Sequence, residues 1–304
     1  MKHLRIKKHL WAVIYGIALT GYVVFTLLDA FVIPKNVVIL NNNESSLSED
    51  TSTSESSDKE AVITDTSYVT DDISINITTL REYNTNIYVA DVVLSSTDSL
   101  SAGLAGGVLG RNITDTTSDI AAECNAILAI NGDFYGFRDS GPVIRNGYLY
   151  RTNARNSSSE SLAIYDNGNM EILDESDIDA TTLLSDGVTQ LFSFGPGLIE
   201  NGQISVSAGQ EVDQSMKSNP RTAIGMISPL HYIFVVSDGR TSASTGLSLI
   251  QLAQVMQEQG CVTAYNLDGG GSSTMWFMGN IINQPTTNGK TIAERKVSDI
   301  VYIR

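Results

Sequence analysis

From about residue 73 onward, apolar and polar positions mostly follow the two-residue period of β-strands. Ile73, Ile75 and Ile77 alternate with polar neighbours in ISINITTL, and IYVADVVL repeats the habit after the turn-like Asn84-Thr85-Asn86. Three hairpins are marked by Asn-Gly between apolar runs, at Asn146-Gly147, Asn167-Gly168 and Asn201-Gly202. AILAIN, TAIGMI, HYIFVVS, CVTAYNL and the closing KVSDIVYI read as buried strands, and WFMGNIINQP as a hairpin-like continuation. A 3.6-residue period surfaces clearly once. Over residues 247–259, Leu247, Ile250, Leu252, Ala253, Val255 and Met256 form one stripe, and Gly260 supplies the stop. A shorter helix is expected near residues 116–125, capped by Ser or Thr ahead of an Ile-Ala-Ala-Cys face. The expected fold is α+β: a sheet-dominated single domain, residues 66–304, with one main helix and one minor helix.

The N-terminal stretch breaks this pattern. Residues 10–28, LWAVIYGIALTGYVVFTLL, carry no charge, and AFVI resumes the run after Asp29. That is enough to cross a hydrocarbon core as a helix. Lys2, Arg5, Lys7 and Lys8 precede it, which places the N-terminus in the cytoplasm. The reading is a basic cytoplasmic tail (1–9) and a single-pass transmembrane signal-anchor (10–33) in the cell membrane, with the domain extracytoplasmic. A cleaved signal peptide is the competing reading. Residues 34–65 include NNNESSLSEDTSTSESSDKE, too polar to bury a core, and read as a flexible Ser- and acid-rich stalk.

Charge narrows the partners. The formal net charge of −15 offers nucleic acid no general attraction, so an anionic ligand would need local basic residues. Two cysteines, Cys124 and Cys261, exclude a disulfide framework; two buried thiols or one bridge remain. The three histidines are His3, His9 and His231, and two of them precede the apolar run. A zinc site or a Ser-His-Asp triad would hang on His231 alone.

Four stretches share one grammar: Asn131-Gly132-Asp133, Asn219-Pro220-Arg221-Thr222, Ser237-Asp238-Gly239-Arg240, and Asp268-Gly269-Gly270-Gly271-Ser272-Ser273. Each adjoins a buried-strand pattern, where scaffolded sites usually sit. Taken singly, each is an ordinary turn. Jointly they hold three carboxylates and two arginines. Asp133, Asp238 and Asp268 could act as acid, base or nucleophile in glycosyl chemistry, or bind a divalent cation such as calcium. Arg221 and Arg240 suit a phosphate or carboxylate. The triple glycine could offer backbone N–H groups to an anion, although no Gly-Lys-Ser/Thr follows to make it a P-loop.

AINGDFYG, SFGPGLIENG, NPRTAIG, VVSDGR, NLDGGGSSTMW and ERKVSDIVYI, in that order, resemble the phosphodiester glycosidase family over roughly residues 100–304. The resemblance implies hydrolysis of a sugar-1-phosphodiester. The motif positions fall on Asn131, Gly132, Asp133, Arg221, Thr222, Asp238, Gly239, Arg240, Asp268, Gly269, Gly270, Gly271, Ser272 and Ser273. On this reading Asp268 is the principal catalytic carboxylate, with Asp133 or Asp238 as its partner or as a metal ligand. Arg221 and Arg240 hold the phosphate, and the glycine run admits it to main-chain N–H groups. Animal members carry cysteine-rich C-terminal modules that do not follow here, so the expected substrate is a phosphorylated envelope or exopolysaccharide glycan. Two rival readings stand beside it: a glycan hydrolase or transferase acting on a phosphate-free linkage, and a non-catalytic glycan-binding envelope module. Retention of all three aspartates and both arginines argues against the last.

Overall fold

In the computed structural model, which describes residues 2–36, 41–42, 61–156, 158–212 and 218–304, the alternating segments assemble into antiparallel sheets of nine, six and five strands. A two-residue pairing also joins Lys35–Asn36 to Gly110–Arg111. The centre of the nine-stranded sheet runs Thr263–Asn266, Arg221–Ser228, His231–Ser237, Thr85–Leu94, Ile73–Glu82. Its two faces enter different cores, as the strand period requires. Ile87, Val89, Ala223, Ile233 and Val235 pack under the helix Leu249–Glu258. Their sequence neighbours Tyr88, Ala90, Ile224, Tyr232, Phe234 and Val236 face the other way and meet Leu128, Ile130, Leu162, Phe192 and Val301 of the other two sheets. Arg221–Ser228 and His231–Ser237 are therefore buried on both faces, which is why they read as nearly continuous apolar runs, whereas Ile73–Glu82 buries one face and alternates.

The helix Leu249–Glu258 starts at a capping box, where Ser248 and Gln251 each bond the other's backbone. Leu247 lies just before it. The minor helix spans Thr117–Glu123 behind the Thr116 cap. A third short helix, Ala180–Ser185, follows the Asp179 cap. It is additional to the two that periodicity announced, because six residues complete too few turns to show a stripe. All three Asn-Gly turns close hairpins, and Met278-Gly279 closes another between Met275–Phe277 and Asn280–Ile281. Cys124 and Cys261 are both free thiols.

Lys2–Phe31 forms one helix, and within it Leu10–Ala30 is long and apolar enough to cross a membrane, with no part of that window buried against the domain. Most of the expected stalk, residues 37–40 and 43–60, lies outside the described residues. Two short pieces of that expected stalk pair with the domain, Lys35–Asn36 with Gly110–Arg111 and Asn41–Asn42 with Tyr148–Leu149, and Val62–Ile63 opens the nine-stranded sheet.

Candidate functional site

Arg221 opens one strand of the nine-stranded sheet and pairs with Ser237, which closes the next. Ala223 pairs with Asn266 on the other side. The second, third and fourth motif stretches therefore lie together at one end of the sheet's central strands. Asn131, at the end of a strand in the five-stranded sheet, ties the first to them. Its Nδ2 donates to the Asp268 carbonyl at 2.7 Å, and its Oδ1 accepts from Thr222 Oγ1 at 2.7 Å and from the Thr274 N–H at 3.2 Å. Asn131 and Thr222 are fully buried, so they stitch segments together beneath the site and offer no polar atom to solvent.

The triple glycine lets three neighbours come close. A Cβ on Gly269 would sit 2.9 Å from the Pro220 carbonyl oxygen, one on Gly270 2.8 Å from Arg240 Nη2, and one on Gly271 2.3 Å from Thr287 Oγ1. Gly270 also holds φ at +64°, the left-handed region that favours glycine. Its N–H donates to the Pro220 carbonyl at 2.8 Å. Gly239 answers the same need, since a Cβ there would lie 2.5 Å from the Pro220 nitrogen.

A cavity of about 520 Å³ opens over this floor. Asp268, Gly269 and Gly270 line it together with four guanidinium groups, those of Arg138, Arg221, Arg240 and Arg295. Asp268 is the one carboxylate among the described lining residues. Each arginine is aimed by its partners. Arg138 lies over the rings of Phe134 and Phe194, 5.2 and 5.3 Å from their centroids, and donates to the Ser193 carbonyl. Arg221 Nε donates to the Leu247 carbonyl at 2.9 Å, and Nη2 to the Glu211 carboxylate. Arg240 donates through Nε and Nη2 to Asn219 Oδ1, and through Nη1 to the Thr287 carbonyl at 2.6 Å. Arg295 Nη2 donates to Asp268 Oδ2 at 3.0 Å and to Ser272 Oγ at 2.6 Å.

The electrostatics favour an anion. Burial lowers the Arg221 pKa, with Glu211 opposing and Arg240 adding to the fall. Burial, then the neighbouring Arg295, lowers that of Arg240. Positive charges packed this closely gain by meeting a negative ligand. Asp268 is shifted upward by burial, against the pull of Arg295, the Ser272 hydroxyl at 2.6 Å and the Gly269 N–H.

Asp133 and Asp238, expected as partner of Asp268 or as metal ligand, are not among the residues that line this cavity. Asp133 is fully buried and saturated: Oδ1 accepts from the Tyr135 N–H, and Oδ2 from the Ser193 N–H at 2.8 Å and Arg145 Nη2 at 2.9 Å. Arg145 also pairs through Nε with Asp299 Oδ2 at 2.9 Å, so one buried guanidinium serves two carboxylates. Burial would raise the Asp133 pKa, but Arg145 and the two backbone donors outweigh it and hold it below the usual value. Burial pushes Asp299 up to about 8. Gly132 closes this cluster, with its N–H on the Asp299 carbonyl. Asp238 Oδ1 accepts from the Gln284 N–H at 2.7 Å, and Oδ2 from Tyr88 Oη and Asn86 Nδ2. Ser272 bonds Asp268, whereas Ser273 is buried with its carbonyl on Asn283 Nδ2. No group of three or more His, Cys, Asp or Glu among the described residues could hold a metal ion.

Arg138, Arg295, Phe134 and Phe194 join the site without being singled out by the sequence, and Asn219, which opens one of the four stretches, joins it by aiming Arg240. Arg138 lies five residues beyond Asp133 in GDFYGFR, Phe194 in SFGPG, and Arg295 in ERK, all within or beside the motif stretches. Nothing in their spacing distinguishes them from surface residues.

A family model described as phosphodiester glycosidase matches residues 124–304. An uncharacterized SPbeta prophage-derived protein of Bacillus subtilis (strain 168) is 28% identical over 200 residues, 64% of this chain and 30% of that protein. N-acetylglucosamine-1-phosphodiester alpha-N-acetylglucosaminidase of Mus musculus is 28% identical over 229 residues, 67% of this chain and 42% of that one. The chain thus spans less than half the length of these two relatives. The catalytic domain of the zebrafish enzyme of that name, solved as a form auto-inhibited by its pro-peptide, shares the fold with a TM-score of 0.58 at 21% identity, over 76% of this chain and 82% of that one.

Proposed function

The chain belongs to the phosphodiester glycosidase family, and from that premise we propose that it hydrolyses a sugar-1-phosphodiester between the anomeric carbon and the phosphate oxygen. One observation carries the proposal: four guanidinium groups surround one carboxylate in a cavity of a chain whose net charge is −15. So local a concentration of positive charge, against the global field, suits a phosphate.

Glycosidases ordinarily employ two carboxyl groups, one of which protonates the leaving oxygen. A phosphate held by arginines leaves readily as an anion and needs no such proton. The acid therefore has no task here, which accords with a cavity lined by one carboxylate. Asp268 takes the proton of the attacking water. The water oxygen bonds the anomeric carbon, and the bond to the phosphate oxygen breaks with its electron pair leaving on phosphate. Arg138, Arg221, Arg240 and Arg295 neutralise that charge as it grows. Burial raises the basicity of Asp268 for this role. Asp133 and Asp238 act as anchors of the scaffold, and Asn131, Thr222, Gly132 and Gly239 hold the converging segments in register.

The charge-free run within Leu10–Ala30, preceded by basic residues, supports a membrane-anchored chain with its domain on the outer face, acting on an envelope or exopolysaccharide glycan. The test is product analysis with UDP-GlcNAc or a synthetic GlcNAc-1-phosphodiester. Free sugar is the expected product. Turnover restricted to phosphate-free glycosides, or glycan binding without turnover, would overturn the proposal.

A further inference from the structure

Glu211 is placed where it can read the charge of whatever occupies the arginine cavity. Its carboxylate accepts from Arg221 Nη2, so it is in direct contact with one of the four guanidiniums. It lines a second cavity of about 390 Å³ that shares Arg138, Phe194 and Val212 with the first. The Glu211 side chain is 15% exposed, so bulk water screens it poorly.

The two anions that must pass through the cavity differ in charge. A phosphodiester carries one negative charge. The phosphate monoester released by its hydrolysis has a second pKa near 6 and carries almost two at neutral pH. Four arginines would grip the dianion more tightly than the diester, and product would then hold the enzyme.

We propose that Glu211 is a specificity-determining residue, whose carboxylate weakens retention of the monoester dianion relative to the diester monoanion and so hastens product release. This rests on the phosphodiester glycosidase reading above. Repulsion between fixed charges is proportional to the charge of the ligand. Removing the Glu211 charge therefore multiplies the affinity for a dianion by about the square of the factor it gives a monoanion. A tenfold gain for the diester implies about a hundredfold gain for the monoester.

The experiment is calorimetric titration of the full chain in detergent micelles, near pH 8, with phenyl phosphate and with methyl phenyl phosphate. Neither probe contains a glycosidic bond, so neither is consumed. Glu211→Gln should bind methyl phenyl phosphate about tenfold more tightly and phenyl phosphate about a hundredfold more tightly than the unmutated chain. Glu211→Asp, which keeps the charge, should leave the ratio of the two affinities within about threefold. Equal gains for both probes, no gain, or weaker binding of both would overturn the role, because each would make Glu211 a steric or positioning contact. If the unmutated chain binds neither probe, the anion cavity itself and the function built on it fail. If it binds both and Glu211→Gln leaves the ratio unchanged, only the present inference fails.

Discussion

Asp299→Asn should flatten the dependence of stability on pH between about pH 5 and 7. Arg145 sits between Asp133 and Asp299 at 2.9 Å from each, and all three side chains are fully buried. One guanidinium neutralises one carboxylate. Asp133 also takes two backbone N–H bonds and is held low, while burial pushes Asp299 up to about 8 against an ordinary value of 3.8. The folded chain therefore keeps a proton that the unfolded chain has released across that interval. For a group raised on folding, the stabilisation is fully present below the unfolded pKa and is lost as pH climbs through the folded one. The slope for one proton is at most about 1.4 kcal/mol per pH unit, so Asp299 accounts for about 2–3 kcal/mol of stability lost from pH 5 to 7. That is a large share of a typical total of about 5–15 kcal/mol. Asp133, shifted the other way, gives stability that falls only below the ordinary carboxylate range, outside this interval. Asparagine has the same shape and does not titrate. The assay is urea unfolding of both chains at pH 5, 6 and 7, followed by tryptophan fluorescence; Trp276 is buried at 7% exposure and should report the domain. The informative quantity is the difference in slope, since groups common to both chains cancel. Parallel slopes for the two would refute the assignment of the shared proton to Asp299.

Three further outcomes are expected. Asp268→Asn should lower kcat about 10²–10⁴-fold, the usual loss when a general base is removed, while the unfolding midpoint moves little, because Arg295, its side-chain ion-pair partner, is 40% exposed; normal turnover would exclude Asp268 as the base. In the unmutated enzyme, kcat/KM should fall on the acid side at a pH above the ordinary aspartate range, because burial raises Asp268, and a pH–rate profile reads this directly. Arg221→Lys should raise KM for the phosphodiester, since an ammonium cannot serve the Leu247 carbonyl, Glu211 and the ligand with one planar fork, and an unchanged KM would remove Arg221 from the phosphate site.

Strands and turns were legible in the sequence because they are local. Ile73, Ile75 and Ile77 declare a face by alternation, and Asn146-Gly147, at φ of +51° and +76°, declares its turn by tolerating a conformation that most residues avoid. The Ala180–Ser185 helix was too short to declare anything. The glycine run was legible as a demand for close approach, though not as three approaches by Pro220, Arg240 and Thr287.

The carboxylates mark the boundary between what the chain spells out and what its folding decides. The resemblance puts Asp268 first and leaves Asp133 and Asp238 interchangeable beside it, because residue type and neighbouring glycines carry the same signal whether an acid faces a cavity or anchors a loop. Three-dimensional packing separated them, by placing Arg145 and backbone donors on Asp133, Gln284 and Tyr88 on Asp238, and a cavity on Asp268. Arg138 and Arg295 entered the site the same way, through contacts with Phe134, Phe194 and Ser272. A residue's chemistry depends on the charge and solvent around it, and segments distant in the chain supply both.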